Sequence, residues 1–356
     1  MKALPDELRE ADARYHALLA SIRFSRHLNP ANAQEARVAF EGGREAPPFE
    51  YHPTPWADDA IATLDGLRIP REHPLGVELA AAVAETRQLT VALRHRRAED
   101  FEALATLCDW WPEDHVEEDV LPARPGPLAY SAEDMFHTLA EALGARGLSA
   151  WEVRWDPVMA SRVLVDASKR EVRVNPAARF RAEDLVGLVA HEIDVHVARG
   201  AAGEAQPLKL FSTGLARAGL AEEGLAILAE ERAGTLSASF VTRQALVAGA
   251  IRRARDVGFR ELYDWLASQG GAGSAWGIAL RVKRGLGRPE APGVFAKDAV
   301  YLRGWRGVRA YLAQGGELAA LYVGKVGLHH PVGDWIAEGW VRPGEVPAFW
   351  ASPAPG

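Results

Sequence analysis

The segment DLVGLVAHEIDVHVARG, residues 184–200, places two histidines and a glutamate within an apolar run. Its apolar side chains recur at the spacing of one helix face, at Leu185, Val186, Leu188, Val189, Ile193 and Val197. Two imidazoles and a carboxylate are costly to bury on such a helix unless they bind a partner. A zinc ion suits them, because imidazole nitrogens bind zinc and a neighbouring glutamate can activate water in an open coordination position. The segment therefore predicts that His191 and His196 bind zinc and that Glu192 is the general base.

The spacing of the histidines departs from the H-E-x-x-H pattern of familiar metalloproteases, in which they are four residues apart. Here they are five residues apart, in an HExxxH pattern. Five residues of a regular α-helix turn through about 500°, which leaves the two side chains about 140° apart. Both rings can reach one ion only if the helix is locally widened, and π-bulges of this kind gather at functional sites. We therefore predict a π-helical turn between His191 and His196.

A zinc site of this kind needs a third protein ligand, and a second apolar helix offers one. The sequence LAEEGLAILAEE, residues 220–231, contains the adjacent residues Glu222 and Glu223. Glycines and a proline interrupt the intervening segment, so the chain can turn back and pack the two helices antiparallel. Glu223 resembles the glutamate that precedes glycine in the N-E-G-F-A motif of gluzincin aminopeptidases. This resemblance favours Glu223 as the ligand and leaves Glu222 as the alternative.

Several blocks together resemble the QEGLA-motif family, to which the microtubule-associated tyrosine carboxypeptidases belong. The HEIDVH block is followed by AEEGLA, and three further blocks fit: RHLNPAN at 26–32, RVKRGLG at 281–287 and VFAKDAVYLRGWRGV at 294–308. The resemblance implies a zinc metallopeptidase with His191, His196 and Glu223 as ligands and Glu192 as general base. Nothing in the chain resembles a microtubule-binding extension.

The activity that the resemblance implies is that of a zinc metallocarboxypeptidase. Its substrate is the C-terminus of a peptide or protein, from which it removes an aromatic residue, Tyr or Phe. Two alternatives stay open: an aminopeptidase or endopeptidase with the same site, and a non-catalytic regulatory protein with a structural metal. Three ligands beside a base favour catalysis, because structural zinc sites normally close all four positions with protein ligands. The ligand types alone also allow Mn, Fe or Co in the cell.

A carboxypeptidase must recognise a free carboxylate, and a guanidinium group suits that task best. The family blocks supply the preferred pair, Arg284 and Lys297, while Arg281 lies on the same helix side as Arg284. A basic face exposed to solvent is an equally good reading of this cluster. Tyr301 is the candidate donor to the reacting carbonyl, with Tyr322 as its alternative. Two tryptophans near the blocks are candidates for an aromatic side-chain pocket: Trp276 and Trp305.

Composition limits the class of partner and the compartment. The formal net charge is −7, with 41 basic and 48 acidic residues, which argues against a nucleic-acid surface. A single cysteine, Cys108, excludes an intrachain disulfide framework and fits a reducing compartment. The charged N-terminus does not resemble a signal peptide, and no apolar run is long enough to span a bilayer. We therefore expect a cytoplasmic protein with no membrane partner.

The order of elements predicts an α+β, mostly helical fold in two parts. Residues 1–125 form a helical N-terminal part and residues 126–356 a zincin-like catalytic part, which can pack as one unit. An acidic and then proline-rich stretch at 111–127 is the predicted linker between them. The catalytic part begins with a capped helix at Ser131, followed by a small antiparallel sheet and the active-site helix carrying HExxxH. The Pro- and Gly-rich tail after residue 328 is expected to lie along the surface.

Overall fold

The structure, a computed structural model, describes residues 1–113, 126–157, 159, 161–270 and 272–351. The predicted linker at 111–127 lies mostly outside these residues, so the division into 1–125 and 126–356 stays a prediction. Helices make up most of the fold, as expected. The α-helices in chain order are α1 (Asp6–Ser21), α2 (Phe24–Leu28), α3 (Ala33–Glu41), α4 (Ala57–Asp65), α5 (Pro74–His95), α6 (Ala98–Leu107), α7 (Ala132–Ala145), α8 (Ala182–Leu188), α9 (Ala198–Glu204), α10 (Leu210–Thr213), α11 (Gly219–Arg232), α12 (Ala238–Ala254), α13 (Phe259–Gly270), α14 (Ala272–Lys283), α15 (Val300–Ala313), α16 (Leu318–Leu321) and α17 (Val332–Ala337).

A π-helix over Val189–Val197 joins α8 to α9 without a break in the helical path. Short 3₁₀ turns lie at Lys297–Ala299, directly before α15, and at Ala348–Trp350. The start of α7 also follows the prediction, since the Ser131 hydroxyl accepts from the Asp134 N–H while the Asp134 carboxylate accepts from the Ser131 N–H. Two orphan N–H groups are satisfied there at once.

The sheet has three strands, β1 (Glu152–Trp155), β2 (Val163–Asp166) and β3 (Glu171–Val174), in the order β1-β3-β2. The predicted hairpin is confirmed, because β2 and β3 pair antiparallel. The prediction of a wholly antiparallel sheet is wrong, because β1 pairs parallel with β3. Alternation of apolar and polar residues identifies a strand but not its neighbour. The strand with the most burial, β3, takes the centre and leaves β1 and β2 as edges.

Residues from both predicted parts of the chain share one large core. Leu8 of α1 and Leu75 of α5 pack in the same buried cluster as Leu225 of α11 and Tyr322. The prediction that the tail lies along the surface is wrong for α17, where Trp335 is 2% exposed in that same cluster. A tryptophan buries enough apolar area to anchor a segment despite flanking Pro and Gly. In the part of the chain that the structure describes, no helix combines the length and apolarity needed to cross a membrane.

The helices α11 and α15 cross at backbone contact through two glycines. A Cβ placed on Gly224 would lie 2.1 Å from the carbonyl carbon of Gly304, and a Cβ on Gly304 would lie 2.2 Å from the Leu220 oxygen. Neither helix can accept a side chain at this crossing without moving. Because Glu223 precedes Gly224, the same crossing sets the position of Glu223 relative to the rest of the fold.

Gly224→Ala is therefore expected to lower the free energy of unfolding by about 3 kcal/mol, at the upper end of overpacking costs. Chemical denaturation measures it. The matched control is Gly277→Ala in α14, where an added Cβ meets nothing within 4 Å. That control should raise the free energy of unfolding by up to about 1 kcal/mol, through helix propensity. Equal stability of the Gly224→Ala variant and the unaltered protein would contradict the close crossing.

Candidate metal centre

The π-helix brings both histidines of the HExxxH motif to one side. The predicted π-helical turn is confirmed, because π-helical hydrogen bonding runs over Val189–Val197 and contains both residues. The ring centroids of His191 and His196 lie 4.9 Å apart. A regular α-helix would point the two rings in different directions. The widened turn therefore solves the spacing problem that the sequence poses.

Glu223 of α11 faces both histidines. Its Oε2 atom lies 3.9 Å from His191 Nε2 and 3.8 Å from His196 Nε2. Potential ligand atoms of the three residues all lie within 4.8 Å of one another. Zinc bonds of about 2.0–2.2 Å to nitrogen and oxygen would fit within this triangle after a small closure. The structure thus brings together the three residues proposed as ligands.

The Nδ1 atom of each imidazole bonds a different glutamate of α11. His191 Nδ1 lies 2.6 Å from Glu230 Oε1, and His196 Nδ1 lies 2.7 Å from Glu222 Oε1. A carboxylate there favours the tautomer with the proton on Nδ1 and the lone pair on Nε2. Both lone pairs then face Glu223. Glu222, the alternative ligand, lies on the far side of the His196 ring from the shared triangle.

The cluster carries excess negative charge. Burial by itself would lower the pKa of His191, but Glu230, Glu192 and Glu223 raise it to about 9. Burial would raise the pKa of Glu222, but Lys325, Arg199 and His196 hold it well below its ordinary value. A group of glutamates around two imidazoles suits a divalent cation, because buried charge needs a counter-charge. The donor set therefore fits zinc.

A cleft of about 420 Å³ opens in front of the three residues. Glu192, only 6% exposed, lines the cleft beside His191. The edge strand β2 lines another wall, through Val163, Leu164 and Val165. The volume falls within the range of small-ligand pockets and admits a few residues of a peptide. The cleft therefore combines a buried carboxylate, a candidate cation site and an edge strand of the sheet.

The cleft's cationic wall contains all three predicted substrate-binding residues, Arg284, Lys297 and Tyr301, together with Arg281. Arg281 and Arg284 both bond the Asp298 carboxylate, with 3.0 Å between Arg284 Nη2 and Asp298 Oδ1. Among the described residues, the buried Nε of Arg284 has no hydrogen-bond acceptor. Two guanidinium groups thus share one carboxylate and keep a net positive charge in the cleft. Lys283, which lies between these two arginines in α14, is fully buried.

Of the four aromatic candidates, Tyr301 lines the cleft, whereas Tyr322, Trp276 and Trp305 do not. Tyr301 lines the cleft, and Glu223, burial and Asp298 raise its pKa, so its hydroxyl stays protonated. Tyr322 does not reach the cleft, because its hydroxyl donates to the Asp194 carbonyl at 2.8 Å. The prediction for the two tryptophans is wrong. Trp276 packs among Phe40, Phe49 and Phe259, and Trp305 donates to Glu231.

Sequence reasoning missed several polar residues around the centre. Arg199, fully buried, and Lys325 both bond Glu222, and Glu230 bonds His191. Arg23, Arg26 and Asn29 line the cleft from the N-terminal part. Helical spacing points to two of them, since Arg199 follows His196 by three residues and Glu230 follows Glu223 by seven, so that each shares a helix side with a predicted ligand. The others come from segments distant in sequence.

The chain is a mostly helical α+β protein with a His–His–Glu cluster carried by two adjacent helices. The model of the microtubule-associated tyrosine carboxypeptidase family matches residues 85–354, more than half of the chain. The chain belongs to this family. The match begins after RHLNPAN, so the resemblance of that block stays a prediction.

Two relatives show the extent of the similarity. Microtubule-associated tyrosine carboxypeptidase 1 of Mus musculus is 33% identical over 147 residues, which cover 40% of this chain and 31% of that protein. The protein of the same name from Homo sapiens is 31% identical over 166 residues, covering 45% of this chain and 35% of its own length. The chain thus spans about a third of the length of these relatives.

Proposed function

We propose that this protein is a zinc metallocarboxypeptidase that removes a C-terminal tyrosine or other aromatic residue from a peptide or protein. The observation that carries the proposal is the meeting of His191, His196 and Glu223 in a cleft that also contains Glu192. The names of the relatives support a carboxypeptidase acting on tyrosine. The cleft's cationic wall supports recognition of a free carboxylate.

The two imidazoles and the Glu223 carboxylate would hold the zinc ion through His191 Nε2, His196 Nε2 and Glu223 Oε2. A bound zinc ion supplies Lewis-acid polarisation of a carbonyl and lowers the pKa of water to about 7. Glu230 and Glu222 keep the two rings oriented from their Nδ1 sides. Three carboxylates and two imidazoles in one buried place are otherwise hard to explain as packing.

Glu192 is the proposed general base. Its carboxylate takes the proton from the attacking water and later returns a proton to the departing amine. Glu192 is only 6% exposed, and this burial keeps bulk water from competing for its carboxylate. Tyr301 is the proposed donor to the oxygen that gains negative charge, because its raised pKa keeps the hydroxyl protonated.

Arg284 and Arg281 are the proposed anchors of the substrate's terminal carboxylate, with Lys297 at the exposed rim. Asp298 orients both guanidinium groups but neutralises only one charge. A free carboxylate supplies the missing negative charge and accepts the remaining N–H groups. The edge of β2 can pair with the substrate backbone. Cleft side chains that offer apolar contact to an aromatic ring are Leu28, Met159, Val163, Leu164 and Val165.

The test incubates the zinc-loaded protein with peptides that differ only in the last residue, each as free acid and as C-terminal amide. Mass spectrometry should show loss of one C-terminal residue, fastest for Tyr or Phe. Amidation should slow cleavage about 100-fold, because a charge-assisted hydrogen bond contributes about 1.5–3 kcal/mol. Arg284→Lys keeps a charge beside Asp298 but loses the guanidinium fork, so the acid-to-amide preference should shrink.

Other cleavage patterns would contradict the proposal in distinguishable ways. Loss of N-terminal residues would indicate an aminopeptidase, and internal cleavage an endopeptidase. Equal cleavage of acid and amide would contradict the proposed role of Arg281 and Arg284 but would be consistent with the proposed zinc chemistry. A zinc-loaded protein that cleaves none of the peptides would favour a non-catalytic regulatory protein.

A further inference from the structure

The two histidines are held by unlike partners. Glu222 Oε1 lies 2.7 Å from His196 Nδ1 and also 2.7 Å from Lys325 Nζ, while its other oxygen accepts from Arg199. Glu230 Oε1 bonds His191 Nδ1, and among the described residues no arginine or lysine pairs with that carboxylate. We name Arg199, Glu222 and Lys325 the His196 brace. Within the described part of the chain, His196 is therefore held by a carboxylate in an ion network, and His191 by a carboxylate that pairs with no arginine or lysine.

The brace is anchored deep in the fold. Arg199 is 0% exposed, and its guanidinium also donates to three backbone carbonyls, of Leu321, Gly324 and Val326. Buried guanidinium groups with this many acceptors have one allowed orientation. Arg199 thus ties the turn after α16 to Glu222. Lys325, from that same turn, bonds Glu222 Oε1, the oxygen that also contacts His196 Nδ1.

One member of the His196 brace, Arg199, lies on the helical path that carries His196. Arg199 follows His196 by three residues, at the start of α9, while Glu222 comes from the facing helix α11. An imidazole can rotate about its side-chain bonds, and ring rotation would carry Nε2 away from Glu223. A carboxylate at Nδ1 prevents this only if the carboxylate itself cannot move. Arg199 and Lys325 provide that restraint.

We propose that Glu222 is a positioning residue for His196, and that Arg199 and Lys325 hold its carboxylate so that His196 Nε2 faces Glu223. The inference rests on the proposed zinc site. It gives Glu222 a role distinct from that of a ligand. It also assigns the turn containing residues 321–326 to the centre, although that turn contributes no ligand.

The test measures zinc affinity of the full metal-free chain by competition with a chromogenic chelator. Glu222→Gln should weaken zinc binding about 100-fold and Glu230→Gln about 10-fold, the two ends of the range for such outer partners. The larger loss follows because Glu222→Gln also leaves Arg199 and Lys325 without their shared carboxylate. Glu78→Gln is the matched control, because Glu78 Oε2 bonds His330 Nε2 at 3.1 Å away from the cleft. It should bind zinc like the unaltered chain.

A second variant distinguishes a local effect on His196 from misfolding. Glu222→Asp keeps the charge beside Arg199 and Lys325 but shortens the reach to His196, and it should weaken zinc binding about 10-fold. Cobalt-substituted protein adds a spectroscopic readout, since a shifted visible band reports altered coordination. That band should shift in the Glu222 variants and not in Glu78→Gln. Thermal unfolding of the metal-free variants checks that each one is folded.

The outcomes separate this inference from the proposed function. An unaltered chain that binds no more zinc than His196→Ala would overturn both. Tight zinc binding by the unaltered chain, with Glu222→Gln and Glu222→Asp matching Glu78→Gln in affinity and cobalt spectrum, would overturn the brace alone. Complete loss of zinc in Glu222→Gln, with full retention in Glu223→Gln, would make Glu222 the ligand and also overturn the brace.

Discussion

Glu192→Gln is expected to lower kcat by about 10³-fold while the protein still binds zinc, because general-base catalysis contributes about 10²–10⁴-fold. The amide cannot take a proton from water, yet it has nearly the shape of the carboxylate. The Glu192 side chain lines the cleft but does not belong to the triangle of candidate ligand atoms. Steady-state kinetics on a tyrosine-terminated peptide and the zinc content of the purified variant together measure the effect.

The control for that prediction is Glu204→Gln in α9, on the helix that continues the π-helix. Glu204 pairs with Arg170, away from the cleft. The activity of the Glu204→Gln variant should equal that of the unaltered protein. Normal turnover by Glu192→Gln would show that another group takes the proton. Loss of zinc from Glu192→Gln would show instead that Glu192 binds the ion.

Glu223→Gln is expected to have the second large effect, a loss of zinc and with it of peptide cleavage. The variant replaces the one anionic ligand by a neutral amide and leaves two imidazoles. We expect zinc affinity to fall by more than the factor of about 100 that marks the upper end for outer partners. Metal analysis after dialysis and the chelator competition both report it.

The comparison with Glu222 sharpens this prediction. Oε2 of Glu223 lies within 3.9 Å of both Nε2 atoms, whereas Glu222 meets the opposite nitrogen of His196. Zinc stoichiometry near zero in Glu223→Gln, with weakened but measurable binding in Glu222→Gln, is the expected pattern. Full zinc content in Glu223→Gln would reject it as a ligand.

The histidine spacing shows how far a local pattern can be predictive. A five-residue separation is incompatible with one shared ion on a regular α-helix, so the sequence predicts a π-turn, and the structure has one over Val189–Val197. The prediction works because helix geometry is local. The choice between Glu222 and Glu223 is different. Adjacent helix residues point about 100° apart, and only the packing of α11 on the π-helix decides which one faces the histidines.

The same limit applies to the sheet and to the cationic wall. Alternating residues identify β2 and β3 and their hairpin, but the parallel pairing of β1 depends on which strand is buried at the centre. Helical spacing places Arg281 and Arg284 together, but their common partner, Asp298, lies in another element. The predicted cytoplasmic location and the boundary near residue 125 stay predictions.

The features that were predictable from neighbouring residues are the HExxxH helix and its π-turn, the Glu-bearing helix, the hairpin and the capped start of α7. Three others depend on how the elements pack: which glutamate faces the histidines, how Arg199 and Lys325 hold the other one, and which tryptophans are core. The two groups differ in the sequence distance over which their interactions act. Backbone geometry and side-chain periodicity act over a few residues, whereas the ion network behind His196 joins residues 23 to 127 positions apart, and the crossing of α11 with α15 joins two further distant segments.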